Sequence, residues 1–258
     1  METNEDLKMS LTEHLIELRK RLTHSLIALG LGFFVCYYFK DWLFTVLTKP
    51  LTDVLPKSSY LIYTGLTQAF FTYMKIAFFA SLVLTSPFII YQVWKFISPA
   101  LLPKEKKYAV PFVFFSTLLF LSGVTFGYFV VLPTAFEFFV SFNNQYLHAM
   151  ISFSDYLSFL VTFLLGFGIS FQLPILIFFL AKLGIVNSKM LSKNRKYAIL
   201  IIFIVAAVLT PSPDALSQIL MAIPLMFLYE VSIFVAKFAA KKKELPESHE
   251  DDHEEHEA

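Results

Sequence analysis

The sequence predicts an all-α polytopic membrane protein with six transmembrane helices and both termini in the cytoplasm. Three observations predict it. Apolar residues make up 57% of the 258 positions, 31 of them Phe, whereas charged residues make up 16%. The apolar residues gather into runs near 22–39, 70–92, 109–132, 156–183, 198–210 and 215–236. The basic residues then alternate between gaps. Of 21 Lys and Arg, 17 fall in the N-terminal tail (Lys8, Arg19, Lys20, Arg21), the second-to-third gap (Lys95, Lys104, Lys106, Lys107), the fourth-to-fifth gap (Lys182, Lys189, Lys193, Arg195, Lys196) and the C-terminal tail (Lys237, Lys241, Lys242, Lys243). Only Lys40, Lys49 and Lys57 fall in the other gaps, and Lys75 lies inside the second run. Basic loops stay on the cytoplasmic side, so the asymmetry orients the chain.

Each element follows in order. Residues 10–22 read as an amphipathic helix on the cytoplasmic surface. Ser10 and Glu13 have capping-box spacing, and Leu11, Leu15, Leu18 and Leu22 form one apolar stripe. The run 22–39 reads as a retained first span, because the charged segment before it and the lack of a small-x-small site after it do not fit a cleavable signal. Residues 40–69, broken by Pro50, Pro56 and Gly65, form the first external segment. Residues 133–155, Phe-rich and without a basic residue, form a second one that starts at Pro133 and caps the headgroup region. The fifth run has 13 positions, roughly 20 Å of helix against a bilayer core of about 30 Å. The sixth is interrupted by Gln218 and Glu230 and is also read as short. This hairpin, joined by the tight turn Thr210-Pro-Ser-Pro-Asp214, is expected to thin the bilayer or shelter among neighbouring helices.

No gap is long enough for a separate soluble domain, so residues 1–240 read as a single membrane domain. Residues 241–258 read as a disordered cytoplasmic tail, basic and then acidic, whose His249, His253 and His256 are more readily solvated than metal-bound. The net charge of +1 hides this split and points to no nucleic-acid partner. Cys36, the single cysteine, has no disulfide partner within the chain. No zinc-binding H-E-x-x-H, Gly-rich phosphate loop or G-x-S-x-G occurs, so neither catalytic residues, a metal site nor a cofactor is expected.

The polar residues at membrane depth remain. Glu17 forms either a plain i,i+4 pair with Arg21 or part of a binding site. Glu105, in Pro103-Lys-Glu-Lys-Lys107, is either a solvated charge or its counterpart. Two carboxylates on one membrane face can grip a cationic peptide, with guanidinium preferred over ammonium. Lys75 either snorkels outward or acts within the membrane. Gln172, beside Pro174 in the middle of the fourth run, can satisfy backbone freed by the proline or hydrogen-bond to another helix.

Six segments, in this order, resemble the TatC family, the large core subunit of the twin-arginine protein translocase. They are His14-Leu-Ile-Glu-Leu-Arg-Lys-Arg-Leu22, Ser86-Pro-Phe-Ile-Ile-Tyr-Gln-Val-Trp-Lys-Phe-Ile-Ser-Pro-Ala-Leu101, Phe126-Gly-Tyr-Phe-Val-Val-Leu-Pro133, Asp155-Tyr-Leu-Ser-Phe159, Phe167-Gly-Ile-Ser-Phe171 and Leu209-Thr-Pro-Ser-Pro-Asp-Ala-Leu-Ser-Gln218. The resemblance covers about 9–238. It implies a concave, cup-like bundle in the bacterial inner membrane that binds twin-arginine signal peptides of folded proteins on its cytoplasmic face. It implies export driven by the proton-motive force, with TatA and TatB as small single-span partners along the fifth and sixth spans and with further copies of itself. It assigns signal-peptide binding to Glu17, Glu105, Phe96 and Arg19, and other functional positions to Pro50, Gln172, Asp214 and Gln218. Where this chain has Gln172, the family often has a glutamate, so a role needing charge there is not expected.

Two other classes fit less well. A small-solute transporter needs a polar midplane path or an internal repeat, and the chain offers one midplane glutamine and no repeat. An intramembrane enzyme needs a nucleophile–base pair or metal ligands, and none stands out.

Overall fold

In the computed structural model of the chain, the described residues are 11–56, 61–63, 65–97, 109–142, 150–210 and 214–239. The helices are α1 (Leu11–Tyr38), α2 (Lys40–Thr52), α3 (Gln68–Ile97), α4 (Ala109–Phe126), α5 (Leu132–Val140), α6 (Phe153–Ser170), α7 (Leu173–Lys182), α8 (Ser188–Lys193), α9 (Arg195–Leu209) and α10 (Ala215–Ala239). A π-helical turn, Gly127–Val131, joins α4 to α5. Among the described residues, four segments are long and apolar enough to cross a membrane: Gln68–Ile97, Val110–Val140, Phe153–Lys182 and Ala215–Ala239. A fifth results if Thr12–Tyr38 and Lys40–Thr52, bent by 84°, count as one. The protein is a multi-pass membrane protein of predominantly helical structure.

The expected surface helix 10–22 and first span are not separate elements. They form one continuous 28-residue helix, α1, about 42 Å long. No Gly or Pro interrupts residues 11–29, and Thr23, His24 and Ser25 all bond back to carbonyls four residues earlier, at Arg19, Lys20 and Arg21. The Ser10 cap lies outside the described residues. In its last third, α1 crosses α3 closely. A Cβ on Gly32 would lie 2.7 Å from Ser81 Oγ, and that hydroxyl donates to the Leu29 carbonyl at 2.7 Å. This crossing sets the first half of α1 beside the last turns of α3.

At Phe39 (φ −95°, ψ 18°) the chain leaves helical geometry and α2 turns away. Lys40 Nζ sits 4.8 Å from the Tyr37 ring and 5.7 Å from Tyr73. A polar stripe along α2 (Asp41, Thr45, Lys49, Thr52) is exposed, while Leu47, Thr48, Pro50 and Leu51 are buried. The two segments expected to be external meet. Leu61 and Ile62 (β1) pair in parallel with Ile151 and Ser152 (β2), and Gln68 Nε2 donates to Ser152 Oγ at 3.1 Å.

The second external segment does not begin at Pro133, because the helix runs on to Val140. Pro133 is the second residue of α5 and follows the π turn directly, with Val131 (φ −83°, ψ −44°) and Leu132 still helical, so the chain stays helical through the proline. The fourth span is two helices, broken at Phe171–Gln172 ahead of Pro174. The helices α4 and α6 touch through glycines: a Cβ on Gly123 would lie 2.6 Å from the Phe167 carbonyl oxygen, and one on Gly168 2.7 Å from the Phe120 ring. Around this contact Leu157, Leu160, Phe163, Leu164 and Phe167 are fully buried. Gly184, at φ 75°, ends α7 in the left-handed conformation only glycine adopts freely.

The expectation of two short final helices holds only for one. α9 has 15 residues, about 22 Å. α10 has 25 residues, about 37 Å. Gln218 and Glu230 interrupt the apolar run but are good helix formers, so they do not end the helix. Asp214 starts it, its Oδ1 accepting from Ser217 N at 2.7 Å.

Candidate functional site

The structure brings Glu17 and Phe96 together at the start of α1 and sets Pro50, Gln172 and the Asp214–Gln218 pair at separate places in the fold. At the start of α1, His14, Glu17 and Arg21 share one helical face at spacings of three and four. Gln92 and Phe96, four apart, face them from α3. The His14 ring stacks on Phe96 with centroids 4.4 Å apart and planes 26° apart. Two turns along, Arg21 Nη1 donates to Gln92 Oε1 at 3.4 Å. Glu17 lies between these ties. Its Oε1 accepts from Arg21 Nη2 at 2.7 Å and from Nε at 3.2 Å. The two side chains are 19% and 16% exposed, so the carboxylate is largely withdrawn from water yet reachable. The plain i,i+4 pair read in the sequence therefore exists, within a site that also holds Phe96.

Arg19 lies on the exposed side of α1, away from that face. Glu105 lies outside the described residues. Gln92 was missed in the sequence. Its i,i+4 spacing to Phe96 was visible, but nothing linear links it to Arg21, 71 positions earlier.

Gln172 bonds across helices. Its Nε2 donates to the Ser116 carbonyl of α4 at 2.7 Å, and Trp94 Nε1 of α3 donates to Ser116 Oγ at 2.9 Å. Three helices thus converge on one serine, a neutral network needing no charge at position 172. Lys75 is exposed, and its Nζ donates to Ser158 Oγ of α6 at 3.1 Å.

Pro50 is buried within α2. A helical proline removes the donor for the carbonyl four residues back, here Val46. Tyr128 OH donates to that carbonyl at 2.6 Å, and Tyr156 OH donates to the next one, Leu47, also at 2.6 Å. Pro50 therefore acts on the architecture of this region and stands apart from the Glu17 group. Asp214 and Gln218 belong to the final hairpin. The first caps α10, and Gln218 Nε2 donates to the Phe203 carbonyl of α9 at 3.1 Å. At the hairpin's other end Arg195 and Glu230 form an exposed ion pair at 2.8 Å. Among the described residues no cluster of His, Cys, Asp and Glu is arranged to hold a metal.

Residues 13–224 match the family described as Sec-independent protein translocase protein (TatC). The Sec-independent protein translocase protein TatC of Desulforapulum autotrophicum is 46% identical over 245 residues, 95% of this chain and 90% of that protein. That of Carboxydothermus hydrogenoformans is 42% identical, covering 93% of this chain and 97% of its own length. The Escherichia coli K12 protein is 40% identical, covering 90% of each. The crystal structure of a twin-arginine translocase receptor TatC superposes with a TM-score of 0.80 at 39% identity, over 89% of this chain and all of that one.

Proposed function

Because the chain belongs to the TatC family of Sec-independent protein translocase proteins, we propose that its Glu17 site receives the twin-arginine signal peptide of a folded precursor. The protein is a translocase component and not an enzyme. In this reading it is the core receptor subunit in the bacterial inner membrane, with six spans and both termini in the cytoplasm. TatA and TatB dock along α9 and α10, further copies of the chain join the assembly, and the proton-motive force drives export.

The observation that carries the site is that Glu17 already binds a guanidinium. A half-buried carboxylate, set between an aromatic stack and a buried glutamine, holds Arg21 through two contacts. The same chemistry recognises an arginine of a peptide, and charge-assisted contacts of this kind exceed neutral hydrogen bonds. Phe96 supplies an apolar wall, and Glu105, by its place between α3 and α4 in the sequence, supplies the second carboxylate. Arg19, exposed on α1, contacts the peptide or the lipid phosphates beside it. The six-span reading counts α9 as a full crossing, and its length of about 22 Å supports local thinning of the bilayer there.

The test measures affinity of the full-length protein for a signal peptide carrying consecutive arginines. Glu17→Gln, Glu105→Gln and the double variant should each weaken binding, by about tenfold for one charged contact. Unchanged affinity in the double variant would overturn the assignment.

A further inference from the structure

Resting on the reading of Glu17 as the signal-peptide carboxylate, we propose that Arg21 and Gln92 are positioning residues that make this site select arginine over lysine. Arg21 touches one oxygen of Glu17 twice, through Nη2 and Nε, both on Oε1. An ionised carboxylate offers about four acceptor positions over its two oxygens. A resident guanidinium confined to Oε1 leaves Oε2 as the acceptor for an incoming one.

Gln92 supplies the anchor. Its side chain is on a residue only 5% exposed, on a different helix, and its Oε1 receives the third contact of the same guanidinium. Arg21 is thus tied at two places, and the Glu17 carboxylate cannot turn freely about its last bond. Fixing that plane matters unequally for the two basic side chains. A guanidinium is a flat fork that gains from a carboxylate of fixed orientation. An ammonium is a point charge with rotatable donors and gains little from it. The orientation of Oε2, and not merely the charge of Glu17, then sets the preference. The stack of His14 on Phe96 bounds the other side of Glu17 and holds α1 and α3 at the spacing this geometry requires.

The experiment uses the full-length protein in lipid nanodiscs. It measures the affinity ratio between a signal peptide with paired arginines and the same peptide with paired lysines. Gln92→Leu keeps a side chain of similar size at a buried position, and Arg21→Lys preserves the charge. Each should cut the arginine-to-lysine ratio by about tenfold, the worth of a well-oriented charged contact. The double variant should cut it no further than either single change, because both act through the same tie. A ratio unchanged in both single variants overturns the proposal. So does tighter binding of both peptides by Arg21→Lys, which would make Arg21 a competitor for Glu17. Glu17→Gln separates the two levels of the argument. If it loses both peptides while the ratio in the Arg21 and Gln92 variants stays at the wild-type value, only the positioning role fails. If it binds both normally, the reading of Glu17 itself fails.

Discussion

Pro50 and Tyr128 should be energetically coupled although neither side chain needs to touch the other. The proline deprives the Val46 carbonyl of its helical donor, and Tyr128 OH supplies one from 82 residues away at 2.6 Å. Tyr128, Val46 and Leu47 line an apolar cavity of about 780 Å³, where water is a poor substitute. An unsatisfied buried acceptor costs about 1–3 kcal/mol, so Tyr128→Phe should destabilise by about 1–2 kcal/mol. In a Pro50→Ala background the restored amide can reach the Val46 carbonyl, and the same Tyr128→Phe change should cost less than about 0.5 kcal/mol. The coupling is then about 1 kcal/mol, within the range that contacting or network residues show. Reversible unfolding in mixed micelles, followed by tryptophan fluorescence, measures all four corners of the cycle. Equal costs for Tyr128→Phe in both backgrounds would refute the reasoning and reduce the tyrosine to an apolar packing group. Tyr156→Phe serves as a control: Leu47 retains a potential donor in Leu51, so its cost should change less between the backgrounds.

Gln172→Leu removes the donor to the Ser116 carbonyl and should destabilise by about 1 kcal/mol, whereas Gln172→Glu should keep export only in so far as the carboxyl stays protonated and able to donate; full export and stability in the leucine variant would make the residue a packing group. Gly123→Ala places a methyl 2.6 Å from the Phe167 carbonyl oxygen and should cost about 1–3 kcal/mol as overpacking. Gly30→Ala, with nothing within 4 Å, should be neutral or stabilising by up to about 1 kcal/mol, and melting temperatures of the two purified variants compare them directly. Cysteines placed at Thr52 and at Ser192 in a Cys36→Ser background should react with an impermeant thiol reagent from opposite sides of sealed vesicles; labelling from one side alone contradicts the six-span topology.

Hydropathy and charge are linear properties, and what depends on them was legible in the chain. Apolar runs long enough to cross a bilayer mark α3, α4 with α5, and α6 with α7, and the basic residues between runs alternate sharply. The carboxylate at position 17, with an arginine four residues later, could be read as an ion pair because both lie on one helix. Helix ends were harder. A proline at 133 reads as a stop, yet it directly follows a π turn and the helix runs on through it to Val140. The polar residues 218 and 230 read as ends of a short span because they break an apolar run, although neither breaks a helix.

Partners across space belong to the tertiary structure alone. Whether Arg21 reaches Gln92, Gln172 reaches Ser116, or Tyr128 covers the carbonyl that Pro50 leaves bare depends on how helices distant in sequence are brought together. Glycines at 32, 123 and 168 allow two of those crossings to be close. Composition and periodicity report how far each segment prefers lipid to water. Hydrogen bonds between helices require a donor and an acceptor within about 3 Å, a condition that only the packed arrangement can meet.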